Sequence, residues 1–238
     1  NREDAESWKL RSMVHGSLVS FGREKAALAE PQVYLQDGAI WAGRDGIATR
    51  LLETSLVSLR GAHNLMNVLA ACALAVALDF SPDAMTAGIK GFNGVKHRLQ
   101  LVRVVNGVSW FNDSIATAPE RTLAALNSFN EPVVLLLGGR DKNLPWEPLA
   151  KSIHERVDHV VIFGEAREKI TTAIGEPKAG GRLQSVVSKE TMLEALTETA
   201  GIVSPGDVVL LSPGCTSYDA FKDFEERGET FIDWVNGL

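Results

Sequence analysis

Cysteine is scarce in this 238-residue chain, which holds only Cys72 and Cys215. One lies in an apolar helical pattern and the other in a loop, which excludes both a disulfide scaffold and a thiolate zinc site. Such sparing use of cysteine points to the reducing cytoplasm. Histidine is nearly as thin. His15, His63, His97, His154 and His159 form neither H-x-x-x-H nor H-E-x-x-H, so no metal held by this chain alone is expected. Long apolar runs are missing too. The longest, Leu65 to Leu78, is broken by Asn67 and falls short of the ~20 residues that cross a bilayer, so no membrane partner is expected. Positive charge is in deficit, with 24 Lys and Arg against 30 Asp and Glu and a net charge of -6, which argues against a nucleic-acid partner. Neither G-x-x-x-x-G-K-[ST] nor G-x-G-x-x-G occurs, so a P-loop and a dinucleotide turn are both absent and a dehydrogenase is excluded. The chain opens on Asn1-Arg2-Glu3-Asp4, with neither Met nor a secretory signal, and reads as a piece of a longer protein.

What is present is a globular composition, 45% hydrophobic and 23% charged, enough for a sizeable core and for two domains. From Leu18 to Leu59 short strands alternate with turns, and the pairs Asp37-Gly38 and Asp45-Gly46 supply the positive φ of tight hairpins. A helix opens at Gly61 and is apolar on most sides, which predicts burial on most sides. Ser81-Pro82 starts a second. Beyond Gly94, where we place a domain boundary, continuous apolar strands alternate with helices. The strands are Leu99 to Val105, Val108 to Asn112, Val133 to Leu137, Val160 to Phe163, Gln184 to Val187 and Val208 to Leu211. The last helix is expected from Asp219 to Val235. This pattern is that of an α/β fold with a doubly wound, mostly parallel sheet.

In such sheets ligands gather where strands end and helices begin. Three of these loops are polar: Asp113 to Thr117, Gly138 to Asn143 and Ser212 to Tyr218. Taken one by one they read as caps and turns. Together they offer hydroxyls, two basic groups and helix N-termini, chemistry suited to an anionic small molecule.

At these residues the chain resembles the Mur ligases. The resemblance rests on Gly61-Ala62-His63-Asn64-Leu65-Met66-Asn67, on His97-Arg98, on Asn112-Asp113-Ser114-Ile115-Ala116-Thr117, on Leu137-Gly138-Gly139-Arg140-Asp141-Lys142, and on Ser212 through Gly228. Its ending is most similar to the D-glutamate-adding branch. By that resemblance residues 1–94 are the C-terminal portion of a central ATP-binding ligase domain whose P-loop half is absent, and residues 95–238 are a Rossmann-like amino-acid-binding domain. The implied reaction is ATP-dependent amide formation, joining D-glutamate to UDP-N-acetylmuramoyl-L-alanine through an acyl phosphate in peptidoglycan precursor synthesis. The magnesium ligands and the carbamylated lysine of the family fall outside this sequence, so the piece alone is expected to be inactive.

The resemblance also implies roles. Asn64 and Asn67 fall on the adenine side of ATP, and Arg98 and Asp113 reach ATP from the later domain, unless these last two merely pair with one another. Thr117, Lys142, Ser217 and Phe224 line the D-glutamate site. Phe224 also fits an apolar helix face shared with Phe221 and Phe231, and His63 fits a helix cap. Ile115 and Ala118 stand where the family often carries Lys and Asn. Another Mur ligase or the related folylpolyglutamate ligase would share most of these features. A different class of reading makes Cys215 the thiolate nucleophile of a hydrolase, with His97 the nearest candidate base.

Overall fold

The computed structural model describes residues 1–238, which divide into two compact units, Asn1–Asn93 and Gly94–Leu238. No helix is long and apolar enough to cross a membrane.

In the first unit a short helix α1 (Ala5–Lys9) precedes strands β1 (Ser20–Phe21), β2 (Gln32–Gln36), β3 (Ala39–Arg44) and β4 (Ile47–Glu53), followed by helices α2 (Ala62–Ala77) and α3 (Pro82–Lys90). The four strands pair in chain order, β1 parallel to β2 and the rest antiparallel. Both Asp-Gly turns hold positive φ at each position, 48° and 72° at the first and 52° and 78° at the second, the hand that matches strand twist. Ser81 caps α3 by accepting from the Ala84 amide. Helix α2 departs from expectation. Within its unit it buries a single face, with Asn64, Val68, Leu69, Cys72 and Ala73 inward, while Leu74 is 68% exposed. A two-layer unit offers an amphipathic helix only one sheet face to cover, whatever the apolarity of its other sides.

The second unit comprises β5 (Gln100–Val105), β6 (Val108–Asn112), α4 (Pro119–Leu126), β7 (Val133–Gly138), α5 (Glu147–Arg156), β8 (His159–Phe163), α6 (Arg167–Ile174), β9 (Ser185–Ser188), α7 (Met192–Ile202), β10 (Val208–Gly214) and α8 (Phe224–Asn236). The sheet order is β5-β6-β10-β7-β8-β9; β5 runs antiparallel to β6 and every other pair is parallel. Alternate strand residues feed two cores. Leu135, Leu137, Val160, Ile162 and Leu210 pack with α4, α5 and α6, whereas Val134, Leu136, Val161 and Leu211 pack with α7 and α8. Covering on both faces is why these strands are apolar at every position rather than at every second one. Trp110 leans on Phe231 and Trp234, with ring centroids 6.2 and 5.7 Å away.

The last helix begins later than the expected Asp219. Asp223, extended at φ -158°, caps α8 by accepting from the Glu226 amide at 2.9 Å. The Glu226 carboxylate reaches back to the Lys222 amide at 2.6 Å, so residues 217–223 form a loop and Phe221 lies ahead of the helix.

Candidate functional site

Strands β6, β7 and β10 are parallel and end at one edge of the sheet. β10 lies between the other two; its helix α8 covers one face, while α4 and α5 cover the opposite one. This is the switch in winding at which α/β sheets open a crevice. All three polar loops leave the sheet here, and backbone hydrogen bonds tie them together. The Arg140 amide donates to the Thr216 carbonyl at 2.9 Å and the Thr216 amide returns the bond at 3.0 Å. The Gly214 amide donates to Ala116 at 2.8 Å, joining the loop after β6 to the loop after β10. So close an approach leaves no room for side chains. A Cβ on Gly139, whose φ is +123°, would stand 2.1 Å from the Thr216 carbonyl oxygen.

Under this junction lies Arg227, which the sequence reading passed over. It shares a buried helical stripe with Phe231 and Val235, at steps of four, and is fully buried. An arginine inside an otherwise apolar stripe is the signal that would have singled it out. Its Nε donates to the Ser114 hydroxyl at 3.0 Å, and its terminal nitrogens donate to the carbonyls of Ser114 at 2.9 Å, Cys215 at 3.1 Å and Gly138 at 3.4 Å. One guanidinium therefore touches all three loops. Burial pulls its pKa down to about 10, so the group stays charged near neutrality.

Of the residues expected to face an amino acid, Thr117 and Lys142 meet across two loops. The Lys142 ammonium donates to the Thr117 hydroxyl at 3.1 Å. Ser217, on the loop after β10, is only 2% exposed. Phe224 is the first residue of α8 and is half-buried. Its ring stands edge-on to His97 at 6.1 Å, lining a cavity of about 540 Å³ with Ile115 and Lys222 rather than joining Phe231 in the core. A larger hollow of about 800 Å³ over α7 and the end of β9 contains none of the expected residues.

Asp113 and Arg98 do not form an ion pair. Arg98 is exposed, and its pull on Asp113 acts only through space. Asp113 is 4% exposed and accepts one bond at each oxygen, from the Leu99 amide at 3.1 Å and the Ser212 hydroxyl at 2.7 Å. Burial outweighs these bonds and raises its pKa to about 6. A carboxyl that binds its proton more tightly when folded favours the native state at low pH, and the advantage fades as pH climbs from the unfolded value near 3.8 to about 6. Asp113→Asn is thus expected to flatten the fall in stability between pH 4 and 6, by up to ~3 kcal/mol, in denaturant titrations run across that range. An unchanged pH profile would show that Asp113 is not the group responsible.

Cys215 does not suit a nucleophile. Its thiol is fully buried, and burial, reinforced by the charges of Asp141 and Asp219, pushes its pKa up to about 12. The candidate base is also occupied, with Nδ1 of His97 3.0 Å from the Asn112 amide nitrogen and Nε2 3.4 Å from Glu229. The hydrolase reading is therefore set aside.

In the first unit Asn64 and Asn67 lie one turn apart on α2. The Asn67 amide donates to the Asn64 side-chain oxygen at 3.3 Å, and the Asn64 amide donates to the Arg60 carbonyl at 2.6 Å. Asn67 is exposed, with hydrogen-bonding capacity to spare. The helix is capped by Gly61 without a side-chain bond, so His63, its second residue, is not the cap.

The family profile described as "Mur ligase, glutamate ligase domain" matches residues 97–215, half of the chain. The UDP-N-acetylmuramoylalanine--D-glutamate ligase of Clostridium perfringens is 37% identical over 240 residues, covering 100% of this chain and 51% of its own length. The enzyme of the same name from Clostridium botulinum strain Langeland is 40% identical over 236 residues, covering 99% of this chain and 49% of its own. The chain thus spans about half the length of the curated relatives it matches. Among solved structures, the UDP-N-acetylmuramoylalanyl-D-glutamyl-2,6-diaminopimelate--D-alanyl-D-alanyl ligase of Acinetobacter baumannii superposes with a TM-score of 0.60 at 19% identity, over 92% of this chain and 46% of that one. The UDP-N-acetylmuramate-alanine ligase of Thermotoga maritima superposes with a TM-score of 0.57 at 18% identity, over 91% and 47%. At those identities the likeness speaks for the fold. With the profile, the relatives and the fold in agreement, the chain belongs to the Mur ligase family.

Proposed function

We propose that this chain carries the later half of an ATP-dependent ligase that joins D-glutamate to UDP-N-acetylmuramoyl-L-alanine in the cytoplasm. Residues 1–94 would form the C-terminal portion of its central ATP-binding domain and residues 95–238 its amino-acid-binding domain. The observation that carries the reading is the gathering of Thr117, Lys142 and Ser217 at one sheet edge, in a chain whose curated relatives are named as D-glutamate ligases. In the proposed reaction a substrate carboxylate takes the terminal phosphoryl group of ATP. The neutral amino group of D-glutamate attacks the acyl carbon, the amide bond forms and phosphate leaves. Recognition of D-glutamate then rests on its two carboxylates. Lys142 supplies a cation and Thr117 and Ser217 supply hydroxyl donors, while Phe224 walls the neighbouring cavity.

The donor set for a nucleotide is present in each unit. Asn64 and Asn67 offer amides that both donate and accept, suited to a base edge. Arg98 is an exposed cation suited to phosphate, and Asp113 keeps lone pairs free for ribose hydroxyls. Magnesium is different. No group of three or more His, Cys, Asp or Glu side chains is placed to hold a metal, so this chain's own residues do not fit one.

Two assays test the proposal. A ligase of the relatives' full length carrying these residues is expected to release phosphate only when D-glutamate and the UDP-linked acceptor are both supplied. Release that is indifferent to D-glutamate would overturn the assignment. The purified chain by itself is expected to show no magnesium-dependent ATP turnover, since it has neither a P-loop nor metal ligands. Measurable turnover by the chain alone would contradict the division of labour.

A further inference from the structure

Arg227 is placed where a cation is least welcome. It is fully buried, it sits in the first turn of α8, where the helix dipole favours acids such as its neighbours Glu225 and Glu226, and no carboxylate lies within ion-pairing distance. Its acceptors are three carbonyls and one hydroxyl, all neutral, and Asp219 opposes its charge only through space. If Arg227 served the fold alone, an apolar side chain on the stripe of Phe231 and Val235 would fill the same space without desolvating a charge. What it holds is telling. Its acceptor residues stand close before the expected substrate residues on each loop: Ser114 ahead of Thr117, Gly138 ahead of Lys142 and Cys215 ahead of Ser217.

We propose that Arg227 is a specificity-positioning residue. Its guanidinium sets the three loops at their spacing, and its buried charge, paired with no carboxylate, favours an amino acid with two carboxylates over its neutral amide. The inference rests on the D-glutamate reading above and deepens it. A charge under the floor of the crevice is little screened by water, so it acts on a bound anion without touching it. A dicarboxylate adds negative charge to what Asp219 supplies only through space.

The test compares Arg227→Met and Arg227→Lys in the full-length ligase, with D-glutamate and its neutral isostere D-glutamine assayed as substrates and as competing ligands. Arg227→Met is expected to raise the KM for D-glutamate roughly tenfold, to move the KM for ATP less than about twofold, and to shrink the preference for D-glutamate over D-glutamine roughly tenfold. Arg227→Lys keeps the charge but loses the fork; it is expected to restore most of the preference while kcat stays low. Thermal midpoints are recorded for both. Should the Met variant fail to fold, Arg227→Gln, which keeps hydrogen-bond donors but carries no charge, takes its place and is expected to lose the same preference. Equal losses with both amino acids in the variant that removes the charge, or parallel shifts in its KM values for D-glutamate and ATP, would reduce Arg227 to a structural pin and overturn the proposal. A wild-type enzyme that makes no use of D-glutamate would instead overturn the assigned reaction, and this inference with it.

Discussion

Gly139→Ala is expected to destabilise the second unit by ~3 kcal/mol or more, a fall of roughly 6–12 °C in thermal midpoint for a chain of this size. The added Cβ would meet the Thr216 carbonyl oxygen at 2.1 Å and an Arg227 nitrogen at 3.0 Å, and the backbone there holds φ at +123°. Neither neighbour can withdraw cheaply. Thr216 is locked by paired backbone bonds to Arg140, and the guanidinium is fully buried with its acceptors on three loops. Gly201→Ala is the matched control. It lies in helix α7 with nothing within 4 Å of its added Cβ, so that variant is expected to be neutral or to gain ~0.5–1 kcal/mol from helix propensity. Differential scanning calorimetry of both variants decides it; equal midpoints would mean that the loop junction yields freely and that its close approach is incidental.

Lys142→Ala in the full-length ligase is expected to reduce kcat/KM for D-glutamate by roughly one to two orders of magnitude, about what the loss of a charge-assisted hydrogen bond of ~1.5–3 kcal/mol implies. Folding should hardly notice. The lysine is exposed, and its one hydrogen bond within the chain is to the Thr117 hydroxyl, so the midpoint should move by less than ~2 °C. The KM for ATP should change much less than that for D-glutamate. A variant that kept its D-glutamate kinetics and lost nucleotide affinity would place Lys142 in the nucleotide site.

Features set by neighbouring residues were legible before any coordinates. The two Asp-Gly turns, the Ser81-Pro82 helix start and the apolar runs Val133 to Leu137 and Val208 to Leu211 each follow from dihedral preference, capping or burial acting over a few positions. The start of α8 is legible too, in the local capping residues Asp223 and Glu226. The sequence pattern leads to a helix from Asp219, whereas the Asp223 and Glu226 capping bonds start it at Phe224. A local cap outweighs periodicity because orphaned amides at a helix end need partners whichever face is apolar.

By itself, then, the sequence determined the class of fold, the strand and turn inventory and the short list of polar residues at the strand ends. Tertiary structure alone decided that β10 inserts between β6 and β7, which brings loops some hundred residues apart in the chain to a single edge. It also decided that Thr117 meets Lys142, that Asp113 and Arg98 stay apart, that α2 buries one face, and that Arg227 goes inside. The physical reason is the same in each case. Whether a side chain is buried, paired or left with a raised pKa depends on groups delivered by distant segments, and pairing order in a parallel sheet is a choice among strands that are all equally apolar. Arg227 shows this most plainly, because a cation survives burial there only through carbonyls that three separate loops bring to it.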